Sequence, residues 1–370
     1  MTAYLDHGAT TPLRPAVFAA MEPWLTEQFG NPSGSHAFAR RAKQAVEESR
    51  DVMAEVLGCR PAEVIFTSGG TEADNLAVLG ARGKGTVVCS AIEHDAVLAA
   101  TRSVEHRIAA ATRAGTIDLD SLAGVLDDSV TVVSIMLVNN EVGTVQPLAD
   151  VADLLSSKAP NAVLHTDAVA AFPWLDVATA AGCASLVSVT AHKFGGPKGV
   201  GALVARDVTL AARQLGGGQE RGVRSGTLNV AGIIGMATAA RITADTRPAT
   251  ARRVARLRDR LADGLIESVP GCTETAKRIE QVPGNCHVRF DGIENEALLF
   301  LLDEAGICAS AGSACASGAM EPSHVLTAMG LSNAEALSSI RFTLGHTTTE
   351  DEVDLALKAL PDAVARLRKA

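Results

Sequence analysis

Short apolar runs alternate with longer amphipathic stretches over the first two thirds of the chain. VIFT, TVVCS, VTVVSIMLV, AVLHT and SLVSV are each apolar for four or more residues and give way to small or polar residues. Continuous apolar runs of this length predict strands buried on both faces, as in a parallel sheet covered by helices. Between them FARRAKQAVEESRDVMAEVLG shows apolar spacings of three and four and closes on Gly58, predicting a helix that stops at the glycine. The βαβ rhythm from about Arg14 to Ala205 predicts an α/β fold with a doubly wound sheet and a ligand site at the carboxyl ends of its strands. After Gly226 the texture changes. A long helical pattern follows, with a break predicted at Pro248, and then a smaller α+β unit containing CHVRF, ALLFLLDEAG, SSIRFTLG and a final helix from Glu350.

Composition narrows the picture. The chain has 370 residues, 47% hydrophobic, 20% charged and 3% aromatic, with a net charge of −9. A nucleic-acid partner is not expected, because phosphate binding needs clustered cations and single strands need aromatic platforms. Seven cysteines without a CxxC pair imply neither a disulfide framework nor a zinc ribbon, so no metal site is expected and a reducing cytoplasm is. MTAYLDHGATTPLRP has no charged-then-apolar leader pattern and no apolar run approaches a membrane span.

Candidate chemistry lies at the strand ends. VIFT leads into SGGTEADN, where Gly70 and Thr71 open a helix; the turn offers backbone N–H groups to an anion, or Thr71 simply caps the helix. His94 follows the next strand as a ligand-facing ring or a hydrogen-bonded loop residue. VSIMLVNNEVG sets Asn139, Asn140 and Glu141 at a strand end, and Asp167 ends AVLHTD either beside a cation or as a cap. SVTAHKFGGPKGVG brings Thr190, His192 and Lys193 together before a glycine bend, with Lys198 beyond it. A strand-end lysine that is partly desolvated can form a Schiff base. An anion cradle, a carboxylate, an aromatic ring and an amine at the edge of one sheet suit pyridoxal phosphate. Further along, AGSACAS holds Cys315 among small residues, unlike the apolar settings of Cys89 and Cys308, and fits a nucleophilic thiolate. Arg341, inside an apolar strand, needs a carboxylate from protein or ligand.

These residues, with YLDHGATTP, FGNPSGSH, VNNEVGTVQP, HTDA, GGGQERGVRSGT and SSIRFTLG in order along the chain, resemble the cysteine desulfurases of the NifS/IscS type, in their long-loop subgroup. The resemblance implies a fold-type-I, aspartate-aminotransferase-like enzyme. Its large cofactor domain would span 13–249, and its small domain would comprise 1–12 and 250–370 and carry the Cys315 loop. It implies that Lys193 bonds covalently to pyridoxal phosphate and then moves protons, that Asp167 pairs with the pyridinium nitrogen, and that His94 stacks on the ring. Gly70, Thr71, Thr190 and His192 would hold the phosphate, with Thr227 arriving from the second subunit of a homodimer. Asn140 would contact cofactor and substrate, Arg341 would grip the L-cysteine carboxylate, and Cys315 would take the sulfur as a persulfide for an acceptor protein, as in iron–sulfur cluster biogenesis.

The same scaffold also serves selenocysteine lyases, which need no persulfide-forming thiol, and a non-enzymatic sulfur relay is a third reading. The chain departs from the family pattern in three places. Ala170 stands where a glutamine usually hydrogen-bonds the cofactor's phenolic oxygen. LDHGATT replaces the usual opening and leaves His7 with an expected surface role. The chain also ends soon after its last helix, where relatives often carry a tail that docks a scaffold.

Overall fold

The structure is a computed structural model that describes residues 2–312 and 321–369. Strands are numbered along the chain: β1 (Ala3–Tyr4), β2 (Val64–Thr67), β3 (Thr86–Ser90), β4 (His106–Ala109), β5 (Val130–Ser134), β6 (Val163–Asp167), β7 (Leu186–Thr190) and β8 (Gly201–Ala205), then β9 (Cys272–Glu274), β10 (Asn285–Phe290), β11 (Ile307–Cys308) and β12 (Ser339–Thr343). β2 to β8 form one sheet of order β2-β8-β7-β6-β5-β3-β4. β8 runs antiparallel to its neighbours β2 and β7, and the other pairs are parallel. Every residue of β2, β3, β7 and β8 is buried, as the unbroken apolar runs predict. The predicted helix forms as Ala37–Leu57 and ends on Gly58, whose φ of +63° is the left-handed cap that glycine adopts without strain.

The apolar run continues past β5 without being a regular strand. Ile135 and Leu137 still donate to His165 and Asp167 of β6, so the chain keeps beside the sheet until Val138. Asn139 and Asn140 therefore lie beyond the strand end expected for them, in a tight turn where Asn139 Oδ1 accepts from the Glu141 and Val142 amides, both at 2.9 Å.

The predicted break at Pro248 does not occur. One helix runs from Val230 to Ser268 straight through it. The exposed proline removes only the bond to the Ala244 carbonyl, and apolar residues hold both halves down. Ile233, Met236 and Ala240 join the core of the large sheet, while Val254, Leu257, Leu261 and Leu265 join a second core with β10, β12 and the helix Glu350–Leu367. This second core packs on the antiparallel sheet β12-β10-β9 and on the small parallel pair β1-β11. The amino-terminal strand thus belongs to the same core as the last third of the chain, and the segment that follows it crosses to β7. Thr11 Oγ1 donates to the His192 carbonyl at 2.8 Å. Among the described residues no helix is long and apolar enough to cross a membrane.

Candidate active site

The carboxyl ends of β2, β6 and β7 converge on one place. Asp167 closes β6, Thr190 closes β7, and the helix Gly70–Ala81 starts just after β2. A Cβ at Gly70 would come within 3.0 Å of Val169 Cγ2, with Thr190 next nearest, so the missing side chain lets this helix start close to the other two strand ends.

Asp167 is buried, and one of its oxygens accepts from the Val169 amide at 2.8 Å. It makes no ion pair among the described residues. Burial pushes its pKa up, and His94 and Lys193 only partly offset this. A carboxyl in that position gains most from a cationic ligand, which is what a protonated pyridine nitrogen provides.

Lys193 lies one turn beyond β7. Its Nζ donates to the Gly8 carbonyl and, at 3.0 Å, to that of Ala9. Burial, helped by Arg341, lowers its pKa to about 8, so roughly a tenth of the amine is free base at pH 7, far more than for an ordinary lysine. Lys198 is exposed beyond the bend, as expected of a solvated charge. The glycines between the two lysines do not make room for Lys193. A Cβ at Gly195, where φ is +87°, would come within 2.6 Å of the Arg14 side chain, so the space is for that arginine.

His94 is the N-cap of the helix Asp95–Arg102, its Nδ1 accepting from the Ala96 amide at 3.1 Å. The bond leaves Nε2 as the protonated nitrogen and fixes the plane of an exposed ring. Thr71 does not cap its helix, which makes no side-chain cap bond, and its exposed hydroxyl stays available to a ligand. Thr190 is buried and donates to the Val200 carbonyl at 3.1 Å. His192 sits 3.2 Å from the Thr10 hydroxyl through Nδ1, and burial with Lys193 and Lys198 nearby lowers its pKa to about 4, keeping it neutral. Thr227 is exposed and stands apart, three residues before the long helix begins.

Arg341 is buried on β12. Its Nη1 donates to the Asn140 carbonyl at 2.9 Å and its Nη2 to Asp6 Oδ1 at 3.0 Å, while Nε has no partner. The protein therefore supplies one carboxylate itself, and the side-chain oxygen of Asn140 is also unpartnered. Backbone bonds in both directions tie Ser310 to Arg341. Cys315 lies outside the described residues, but both flanks of residues 313–320 meet Glu141. Ser323 Oγ donates to its carboxylate at 2.7 Å, and a Cβ on Gly312 would come within 2.6 Å of its Cγ. Burial raises Glu141 to about 7. Sequence reading noted this glutamate only as part of a turn. Its signal was an acidic residue inside an otherwise apolar and amide segment.

His7 is not on the surface. It is 5% exposed, and a Cβ on Gly345 would come within 1.9 Å of its ring, so the glycine is what admits it. Cys308 is half-buried on a two-residue strand rather than deep in an apolar run.

An amine with a lowered pKa, a carboxyl without a cation, an anion-facing helix start with a free threonine hydroxyl, and a neutral histidine fit pyridoxal phosphate. The same set accounts for the hydrogen-bonding capacity left unused around Asp167 and Thr71.

Residues 3–356 match the aminotransferase class-V family. The chain is 45% identical over 386 residues to an IscS-like cysteine desulfurase of Mycobacterium tuberculosis, an alignment covering 100% of this chain and 98% of that one. Among solved structures it is similar to a NifS-like protein, at 33% identity with a TM-score of 0.93 over 99% of this chain and 100% of that one. It is also similar to SspA in complex with cysteine, at 31% identity with a TM-score of 0.82 over 94% and 100%.

Proposed function

The chain belongs to the class-V aminotransferases, and we propose that it is a pyridoxal-phosphate-dependent cysteine desulfurase that converts L-cysteine to L-alanine and passes the sulfur through Cys315 to an acceptor protein. The fold is that of a fold-type-I enzyme, α/β with a large, mainly parallel sheet. One observation carries the functional reading. Asp167 and Lys193 come from the ends of adjacent strands, and they offer a buried carboxyl without a basic partner, which a pyridinium would hold ionised, and an amine lowered to about 8.

Bound covalently, the cofactor would supply an electron sink for the substrate's α-carbon. Lys193 would hold it and afterwards carry a proton between substrate carbons, for which an amine with a pKa lowered toward the working pH is suited. Asp167 would face the ring nitrogen and His94 the ring. Gly70, Thr71 and His192 would hold the phosphate, and Thr190 would join them by turning its hydroxyl proton from the Val200 carbonyl to a phosphate oxygen. Thr227, exposed in the single chain, would complete the site of a second copy, which makes a homodimer the working form. Asn140 and the free Nε edge of Arg341 would orient L-cysteine, with Asp6 fixing the guanidinium plane. Cys315, as thiolate, would attack the substrate sulfur. The sulfur–carbon bond breaks, the electron pair returns to the substrate carbon, and a persulfide remains on Cys315.

We also propose the division into 13–249 and 1–12 with 250–370, which the two largest hydrophobic cores support, with the helix Val230–Ser268 shared between them and Val282 joining the first core. We place the enzyme in the cytoplasm. No observation favours selenocysteine over cysteine as substrate. The deciding experiment incubates the cofactor-loaded protein with L-cysteine and a thiol, and measures alanine and sulfide. Equimolar alanine and sulfide support the reading; pyruvate with ammonia, or no turnover, would sink it.

A further inference from the structure

Behind Lys193, between the two cores, lies a cavity of about 70 Å³. None of Gly70, Thr71, His94, Asp167, Thr190 or His192 lines it, so it lies away from the phosphate and ring anchors and meets the cofactor's residues only at Lys193 and Asn140. Lys193, Asn140 and Ala170 line it. Alanine at 170 extends no further than Cβ, so at that position nothing longer divides the amine from the space beyond. Arg14 and Arg247 line it too, with the hydroxyl residues Thr243, Thr246 and Thr250, the threonines and Arg247 all on the one long helix.

Each arginine is held against one member of an aromatic pair. Phe172 and Phe194 stack with centroids 4.3 Å apart. Arg247 lies over Phe172 at 5.6 Å, and Arg14 donates through Nε to the Phe194 carbonyl at 3.3 Å and through Nη2 to Thr243 at 3.5 Å. Neither guanidinium makes an ion pair among the described residues, and Arg247 Nε is buried without any hydrogen-bond partner. Burial lowers the pKa of both. No carboxylate offsets this for Arg14, and only Asp176, beyond ion-pair distance, does so for Arg247. The neighbouring imidazoles add no negative charge. His346 is lowered to about 4 by burial and by Arg14, His7 and Arg253, and the buried His7 keeps Nδ1 unpartnered. Asn285 Oδ1, also buried on this cavity, is unpartnered too.

Two partly desolvated guanidiniums sharing one chamber without a counter-ion are costly unless something anionic enters. The volume admits roughly five waters, or one small polyatomic ion in their place. Thr246, exposed at the rim, marks a way in from solvent.

We propose that this chamber is a second oxyanion site, in which Arg14, Arg247 and the threonine hydroxyls take a small tetrahedral oxyanion or a carboxylate directly behind the catalytic lysine. An anion here touches residues from both cores and lies in the same cavity as Lys193, so it would stabilise the protonated state of that nitrogen.

The test uses protein saturated with pyridoxal phosphate, so that the cofactor's phosphate fills its own cradle. Sulfate, phosphate and acetate are titrated separately at constant ionic strength by isothermal calorimetry, with chloride as the balancing salt. The expected result is saturable binding of one anion per chain. Arg247→Met and Arg14→Met should each weaken it at least tenfold, and Arg247→Lys by less than the methionine variant. Preference for sulfate and phosphate identifies a tetrahedral ligand, and preference for acetate a carboxylate; either supports the site. A second readout follows the pH midpoint of the cofactor's absorbance, which the preferred anion should raise in the wild type and leave unmoved in Arg247→Met. Absence of saturable binding in the wild type, or equal affinity in wild type and both methionine variants, overturns the proposal. So does a midpoint shift that survives Arg247→Met.

Discussion

Ser323 donates its hydroxyl to the carboxylate of Glu141 across 2.7 Å of buried space. Gly312, on the other flank of residues 313–320, packs on the same side chain, which no Cβ would allow. Arg341, which pairs with Asp6, lies close enough to bias the glutamate's charge. The two flanks of the Cys315 segment are therefore fixed to the turn that also carries Asn140.

Glu141 is expected to give stability a pH slope of its own. Its folded pKa, about 7, lies above the ordinary 4.5, so the folded state holds the proton more tightly than the unfolded chain. Its penalty is absent below about pH 4.5 and grows as pH rises toward 7, reaching about 3 kcal/mol. Glu141→Gln keeps an acceptor for Ser323 but cannot ionise. Denaturant unfolding of the two proteins should therefore diverge with rising pH, the variant gaining. A constant difference between pH 4.5 and 7 would show that Glu141 does not titrate with folding.

Lys193 should capture cofactor with a pH dependence set by its own free base. With the amine near 8, the capture rate of apoprotein should rise about tenfold per pH unit below that value and level off above it. Lys193→Ala should carry no cofactor mass after borohydride reduction. A rate still climbing tenfold per unit at pH 10 would mean the amine is not depressed.

Cys315→Ser separates binding from sulfur transfer. The variant should retain the cofactor and its spectral response to L-cysteine, while thiol-released sulfide falls by at least about 100-fold. Sulfide release at the wild-type rate would move the nucleophile to another residue.

The strand ends were legible because strands buried on both faces read as apolar runs, so the first polar residue after each run marks the sheet's working edge. Asp167 and Lys193 stand there. What sequence could not show depends on contacts between distant residues. His7 reads as a polar residue in a loop, and its burial comes from the missing side chain of Gly345, more than 300 positions away. Gly195 makes room for Arg14 beside Thr243, across some 180 positions of chain, a contact that no local pattern announces. Pro248 reads as a break, but the apolar residues on both sides of it outweigh one lost hydrogen bond.

The GGGQERGVRSGT segment should depend on a single buried ion pair. Arg50 grips Glu220 with two bonds of 2.8 and 2.6 Å, at side-chain exposures of 4% and 1%. Glu220 also accepts from the Phe66 amide on β2 and holds a positive φ of 44°. Glu220→Ala would leave the guanidinium buried without its carboxylate, costing about 3–5 kcal/mol. The denaturation midpoint should fall accordingly, and cofactor affinity with it, because the same segment leads to Thr227. A loss below about 1 kcal/mol would mean that water replaces the pair.

Arg341→Ala should act on substrate binding before it acts on chemistry. The guanidinium already serves Asp6 and the Asn140 carbonyl, leaving Nε as its free donor, so the variant removes a substrate contact and also strands a carboxylate. The contact to a substrate carboxylate accounts for roughly 2–4 kcal/mol, which appears as a KM raised about 30- to 1000-fold with kcat less affected. The double variant Asp6→Asn with Arg341→Ala isolates the second effect, because it no longer leaves Asp6 charged and unpaired. It should regain stability relative to Arg341→Ala without regaining KM. If KM recovers together with stability, Arg341 is a structural partner of Asp6, and the substrate carboxylate binds elsewhere.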